Sequence, residues 1–401
     1  MTAVQLVGQR RVLTTIRAAV PSGIARAQSS TRRHVAPTPA VGLLDVHQFV
    51  PVLLLLDAVG NHTLRTHQAL QEAGIPSSIW SAMIDPGLRR SAAPVGDFQA
   101  EPRRTGTSRV LVYQAASESN GIVDLLLKNR EPKVISYHNF TPAEYFDGLD
   151  DRVAASLRRG VLEVRRLAEQ VRVAIAASDF NATELRGMGI EDVEVIPPYL
   201  GPGLQAEPDP TTLEWLRRTR QGIDLLFVGR VVPHKGHPHL IRVLAALRAA
   251  VDPKARLFLV GPPGPRKYMR SLRALAELVV GSGVYLVGGV TDAQLAAYYK
   301  HADVFVSMSE HEGFGIPLVE AMRAEIPIVA YDSSAVAETL GGAGITVRTT
   351  DPAIVAEVVA KVVRDEKLCQ ELRHRQLKRA AEVESCPRGQ RIIEVLQRAS
   401  A

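Results

Sequence analysis

Cysteine is nearly absent from this chain: Cys369 and Cys386 are its only two in 401 residues. Two late cysteines build neither a disulfide framework nor a zinc site, and a reducing, cytoplasmic setting is the simple inference. Long apolar runs are missing as well. None approaches the roughly 18 residues of a membrane span, and the nearest, Val50 to Val59, is broken by Pro51 and Asp57. There is no G-x-G-x-x-G, no Walker loop, no H-E-x-x-H and no G-x-S-x-G. Those absences remove the sequence signatures of dinucleotide, P-loop, zinc-peptidase and serine-hydrolase sites. No compact acidic triad of the Asp-x-Asp kind is present to hold Mg²⁺ or Mn²⁺.

Acidic residues are lacking in one stretch. Residues 1 to 44 hold six arginines, no lysine and no acid, and the whole chain carries +6, so residues 45 to 401 sum to zero. The pI of 9.4 therefore belongs to a tail, and the neutral body argues against a nucleic-acid partner. The tail carries no packing pattern; residues 1–41 read as disordered or as a start assigned too early, with a targeting segment as the alternative.

What remains is ordinary globular composition, 46% apolar and 22% charged, in a chain long enough for two or three domains. From Val41 onward, strand and helix alternate. GLLDVHQFVP, SSIWSA, RVLVYQAA, KVISYHNF (Lys133 to Phe140), VRVAIAAS and VEVIPPYL read as strands, with helices over Asn61–Gly74, Ser119–Asn129, Asp151–Val171 and Asn181–Gly189. The Pro-, Gly- and Arg-rich stretch before Gly106 reads as a loop. After a Pro/Gly linker between Pro197 and Pro210 the plan repeats: IDLLFVG, RLFLVG, VYLVGG, DVFVSM and IPIVAY are strands and GITVR a sixth. Helices over 352–364 and 367–384 and an amphipathic segment, Ile392–Arg398, close the chain. Such alternation predicts parallel sheets covered on both faces. The expected organisation is a tail (1–41), a first doubly wound, Rossmann-like domain (42–203), a second (204–385), and a terminal helix (386–401) packing back towards the first. Ligands of such folds bind in the cleft at the carboxyl ends of the strands.

The stretch from Asp303 to Met322 carries the strongest chemical pattern: a buried strand, a polar crest, glycines at 313 and 315, then a helix with Pro317 at its first position. Amides around Gly315 and Ile316 then sit at the positive end of a helix dipole, a seat for phosphate. Glu312 and Glu320 bracket the turn. Upstream, FVGRVVPHKGH (Phe227–His237) places Gly229, Arg230 and Lys235 at the carboxyl edge of a strand. An arginine fork and a mobile lysine charge suit a diphosphate.

The Glu312-x7-Glu320 spacing with GFG between, together with G-R-x-x-x-x-K-G some 80 residues earlier, resembles the signature of retaining glycosyltransferases of the family called GT4, which have the two-domain GT-B architecture. The resemblance covers Asp45 to the carboxyl terminus. It implies a transferase moving a hexose, mannose or glucose, from a nucleotide diphosphate sugar to a glycan or lipid-linked acceptor, with neither metal nor other cofactor. Arg230 and Lys235 would neutralise the departing diphosphate, Glu320 would accept from the ribose hydroxyls, and Glu312 with the Gly313, Phe314 and Gly315 backbone would meet the donor sugar. His138, in SYHNFTP, would face that sugar across the cleft, and Gly60 would let backbone approach the donor phosphate. The family's loop there is polar and glycine-containing, whereas this chain reads VPVLLLLDAVG. Ser334 and Ala335 amides would help hold the donor, with Glu338 structural or near the nucleotide. A nucleotide-sugar epimerase, a phosphorylase-like enzyme and a non-catalytic partner subunit are the alternative readings. The Arg152–Arg172 helix has one basic face, which reads as solvated, with contact to anionic lipid at the inner face of a membrane as the alternative.

Overall fold

The computed structural model describes residues 43–54, 57–201 and 206–401. The reading of 1–41 as a tail lies outside the described residues, and so does the 203/204 boundary. The first half comprises β1 (Leu43–Leu53), α1 (Ala58–Glu72), β2 (Ser77–Ile84), β3 (Ala93–Pro94), β4 (Thr107–Ala115), α2 (Ile122–Lys128), β5 (Lys133–Tyr137), α3 (Asp151–Ala168), β6 (Val173–Ala176), α4 (Asp179–Gly187) and β7 (Asp192–Val195). Its strands form one sheet in the order β3-β2-β1-β4-β5-β6-β7, parallel throughout.

The second half opens with α5 (Pro210–Thr219) and continues through β8 (Asp224–Val228), α6 (His237–Ala250), β9 (Arg256–Val260), α7 (Arg266–Val279) and β10 (Val284–Gly288). Then follow α8 (Asp292–His301), β11 (Val304–Ser307), α9 (Ile316–Arg323), β12 (Ile328–Tyr331), α10 (Val336–Leu340) and β13 (Ile345–Val347). Its sheet runs β10-β9-β8-β11-β12-β13, again all parallel. In each sheet the chain winds outward one way and then returns to wind the other. The reversal falls between β1 and β4 in one sheet and between β8 and β11 in the other, where such folds form their ligand crevice.

The strands read as near-continuous apolar runs because both faces are covered. Leu225, Leu226, Leu257, Leu259, Val304 and Ile328 are fully buried in the second core, against Leu240, Leu244, Val319 and Val355 of the flanking helices. After α11 (Pro352–Arg364) and α12 (Glu366–Glu384), the chain returns: Val395 and Leu396 of α13 (Arg388–Ser400) pack with Val46, Val112 and Val134 of the first sheet. Arg388 anchors that return by donating to the carbonyls of Pro197 and Pro198 at 2.9 and 3.0 Å.

Four local expectations are corrected. The loop before Gly106 contains β3, an edge strand on β2, where Pro94 lacks an N–H that an edge does not need. β5 ends at Tyr137, not Phe140, because Asn139 takes a left-handed φ of +82°. Gly60 lies in the first turn of α1, not in a loop. Pro317 is second in α9, since the helix begins at Ile316.

Candidate active site

Two connections in the second half lie side by side at the reversal between β8 and β11. The first, from Gly229 to Gly236, is strung between neighbours: the Gly229 amide donates to Val260 and the Val231 amide to Pro262. It ends at Gly236, whose φ of +66° opens α6 and whose α-carbon leaves no room for a side chain, since a Cβ would stand 2.0 Å from the Met308 carbonyl oxygen. The second, from Met308 to Gly315, is tied to the first by the Glu310 amide donating to the His234 carbonyl at 2.8 Å. Gly315 caps α9 at a φ of +92°, so the helix begins directly under the turn.

This pairing brings Lys235 and Glu312 together, with Nζ 2.7 Å from Oε1 and both side chains largely shielded from solvent. Arg230 shares the first connection, stands exposed, and has no side-chain partner among the described residues. The buried His234 imidazole registers the local potential: burial first, then Lys235 and, further down, Arg230 push it down to about 2. Glu320 lies inside α9, where the Tyr299 hydroxyl donates to its Oε2 at 2.9 Å. Burial holds its carboxyl above the usual range, against that hydrogen bond. Phe314 is buried and its carbonyl accepts from Thr339. A polar cleft of about 620 Å³ opens beside the loop, lined by Glu310, His239, Tyr331, Asp332, Ser333, Thr350 and, from the first half, Tyr145.

His138 follows β5, and the structure carries its backbone to the turn. A Cβ on Gly313 would stand 2.8 Å from both the His138 carbonyl oxygen and the Asn139 Cβ, so the halves meet there backbone to backbone. Its side chain donates Nε2–H to Gln114 Oε1 at 2.7 Å; Gln114 donates to Gln48 Oε1 at 2.9 Å, and Gln48 to the Thr63 carbonyl at 3.3 Å. That relay runs from the end of β5 across the end of β4 to the middle of β1 and leaves Nδ1 as the acceptor nitrogen. Burial pushes the imidazole down to about 4, so it is neutral at physiological pH. Gly60 is placed differently from its expected role: its amide donates to Asp57 at 3.1 Å and its α-carbon packs against the Leu54 carbonyl.

Several residues that sequence reasoning missed link the halves beside the Lys235–Glu312 pair. Ser178 Oγ donates to the Gly313 carbonyl at 2.7 Å. His311 donates to Asn139 Oδ1, while Asn139 Nδ2 donates to Asn181 and Glu184, each at 2.8 Å. Glu338 crosses to accept from the Asp179 and Phe180 amides at the start of α4, at 2.7 and 3.3 Å, a structural role. Asn139 and His311 stand inside the two motif stretches, and their polarity was the available signal. The Ala335 expectation needs correcting, because its amide is committed to the Glu312 carbonyl at 3.3 Å; Ser334 Oγ accepts from the Glu312 amide at 2.7 Å, so both residues brace the loop.

The basic face of α3 is partly neutralised. Arg158 pairs with Asp147, Arg159 with Glu118 and Arg166 with Asp124, leaving Arg152, Arg165 and Arg172 without a partner among the described residues. No described helix is long and apolar enough to cross a membrane, and among the described residues no three His, Cys, Asp or Glu side chains converge to cage a metal ion.

Comparison with known proteins agrees with this geometry. The family described as glycosyl transferases group 1 matches residues 216–382. A mannosyltransferase of Mycolicibacterium hassiacum, the MMP alpha-(1->4)-mannosyltransferase, is 37% identical over 134 residues, 33% of this chain and 31% of the relative. The GDP-mannose-dependent alpha-(1-6)-phosphatidylinositol monomannoside mannosyltransferase of Mycobacterium tuberculosis is 32% identical over 183 residues, 42% of this chain and 46% of the relative. The alignments thus span less than half of either relative. Sucrose-phosphate synthase from Thermosynechococcus elongatus superposes with a TM-score of 0.69 at 18% identity, over 88% of this chain and 98% of that one, a likeness of fold. Residues 216–382 of the second half thus resemble the glycosyl transferases group 1 family, and the two parallel sheets with their flanking helices have the GT-B fold.

Proposed function

We propose that this chain is a retaining hexosyltransferase that moves mannose or glucose from a nucleotide diphosphate sugar to a glycan or lipid-linked acceptor without a metal ion. The observation that carries the reading is the Lys235–Glu312 pair, 2.7 Å apart at the reversal between β8 and β11, with the His138 backbone against Gly313 opposite it. Mannose is favoured by the names of the two relatives, both mannosyltransferases.

Breaking the bond between the sugar and the diphosphate builds negative charge on the departing oxygen and positive charge on the sugar carbon. In this reading the exposed Arg230 fork and Lys235 take the first charge, together with the α9 amino terminus. Charge neutralisation is assigned to these cations, which is why no metal is invoked. Glu312, held by Lys235 and Ser334, stands where it meets the sugar ring and its developing positive charge. Glu320 has Oε2 engaged by Tyr299, so Oε1 is left to accept from ribose hydroxyls. His138 presents a neutral imidazole whose orientation the Gln114–Gln48 relay fixes. The contacts joining the halves at Gly313, Asn139 and Glu338 exclude water from the donor and so suppress its hydrolysis. A lipid-linked acceptor would meet α3 through Arg152 and Arg165, with Arg172 just beyond the helix end.

The test is donor binding followed by transfer. A thermal-shift panel of GDP-, UDP- and ADP-sugars on the full chain should single out one nucleotide, because a ligand of the folded state raises stability by mass action. Acceptor-dependent transfer with that donor should then survive chelation and yield a product with the donor's anomeric configuration by NMR. Donor turnover without acceptor, or an inverted product, would overturn the reading.

A further inference from the structure

At the amino ends of β4 and β5, on the opposite edge of the first sheet from His138, lies an open cavity of about 350 Å³. Arg103, Arg104, Arg109 and Arg130 line it with Glu131, Thr107, Ser108 and Pro132. The other carboxylate within reach is the buried Asp45, 3.5 Å from both Arg104 and Arg109. Arg103 is paired with Glu131 at 2.6 Å, so four guanidinium groups against these two carboxylates leave the surplus positive charge on Arg104, Arg109 and Arg130. Lys133 adds nothing to its solvent side, because its ammonium is spent on the Asn129 and Glu131 carbonyls at 2.7 and 3.0 Å.

Arg109 makes this more than a charged patch. Its side chain is 8% exposed, yet it donates one hydrogen bond, from Nη2 to the Pro102 carbonyl at 2.8 Å, while its buried Nε makes no hydrogen bond and stands 3.5 Å from Asp45 Oδ2. The second sheet supplies an internal standard. Asp45 and Arg109 are register partners on neighbouring parallel strands, as are Asp224 and Arg256. Arg256 forks onto Asp224, Nε to Oδ1 at 2.7 Å and Nη2 to Oδ2 at 2.6 Å, and also donates to Thr219 and Leu216. Arg109 makes no such fork: its Nε stays 3.5 Å from Asp45 Oδ2, the oxygen that accepts from His47 Nε2 at 3.1 Å, and its Nη2 turns to the Pro102 carbonyl instead. A buried guanidinium with one hydrogen bond and only a loose 3.5 Å approach to a carboxylate, in a concavity of surplus positive charge, keeps donors free for a further anion.

We propose that this cavity binds a dianionic phosphoryl group, free or carried on a small organic molecule, at a site separate from the donor cleft. The volume admits a phosphoryl group with a small carrier, and the planar forks of Arg109 and Arg130 match its oxygens, with Arg104 beside them.

Calorimetric titration of the full chain with orthophosphate, at constant ionic strength and mildly alkaline pH, tests this. Saturable binding is expected, roughly tenfold weaker in both Arg130→Gln and Arg109→Gln, the loss of a charge-assisted contact. Arg130 is exposed, so its variant stays informative if Arg109→Gln fails to fold. Lys235→Ala should bind orthophosphate as the native chain does. In a second arm, glycerol 3-phosphate binding more tightly than orthophosphate indicates a carried phosphoryl group, and equal affinity indicates the free anion. No saturable binding of either, unchanged affinity in Arg130→Gln, or loss in Lys235→Ala would overturn the proposal.

Discussion

Each sheet carries a buried aspartate on its first strand opposite an arginine on the next strand, and the two pairs have come to different ends. Asp224 and Arg256 close on one another, and the end of α5 covers them: Arg256 finds the Leu216 carbonyl and Thr219 hydroxyl above it. His301 completes the cluster by approaching Asp224 Oδ2 at 2.7 Å. Asp45 and Arg109 share the same register and Asp45 likewise meets a histidine, His47, but the guanidinium stays 3.5 Å away and finds only the Pro102 carbonyl. Register fixes where two side chains stand, whereas the acceptors that cover them decide what they bind. One corner is consumed in holding its sheet together, and the other keeps donors in reserve.

Arg256→Met should sharpen that contrast most. It strands a buried carboxylate, so a loss of about 3–5 kcal/mol is expected in urea unfolding. Arg109→Met should lose about 1–2 kcal/mol, one hydrogen bond plus packing over Phe98. Equal losses would break the comparison.

The halves should also differ in what they contribute to transfer. Lys235→Ala is expected to lower kcat by roughly 10²–10³ with an unchanged circular-dichroism spectrum, because it removes a preorganised charge at the leaving group. Gln114→Ala, which acts through the orientation of His138, should lower it by about tenfold and shift the acidic limb of the pH profile. A larger effect from Gln114 would move the chemistry into the first half.

Acid should weaken both halves. The His138 and His237 imidazoles are pushed down from 6.5 to about 4 by burial, so the folded state holds their protons less tightly than the unfolded chain does. Their contribution is complete above the unfolded value and is lost as pH falls through it towards 4. Near pH 5.5 each should cost about 1.4 kcal/mol, read as a lower urea midpoint than at neutral pH. His138→Gln should remove its own share of this slope and leave that of His47, His62 and His67, which burial also pushes down. The smallest effect is reserved for Glu338→Gln, about 1 kcal/mol, the loss of an ionised cap on α4.

The second half was legible because its chemistry is written in contiguous residues. Gly236 and Gly315 hold backbone angles that favour glycine, and the charged residues lie within a few positions of them, so motif and geometry coincide. The second half's six strands, Ile345–Val347 included, followed from apolar runs separated by turn residues, whereas their order in the sheet did not. The first half spreads its polar groups over Gln48, Gln114 and His138, on or just beyond three strands, 66 and 24 residues apart. Nothing local marks such a relay, since a glutamine in an apolar run looks like an accident until the neighbouring strand is placed. Gly60 misled for the complementary reason: a glycine beside a strand end reads as an approach to ligand, whereas here it makes room for the carbonyl of Leu54.

The bare α-carbon at Gly313 sets the spacing between the two lobes at a single point. One methyl group there would act as a doorstop, forcing the backbone of residues 138 and 139 away and tearing the Ser178 contact with it. Gly313→Ala therefore offers a chain jammed ajar with every charged group intact, a way to ask how much of its chemistry depends on shutting.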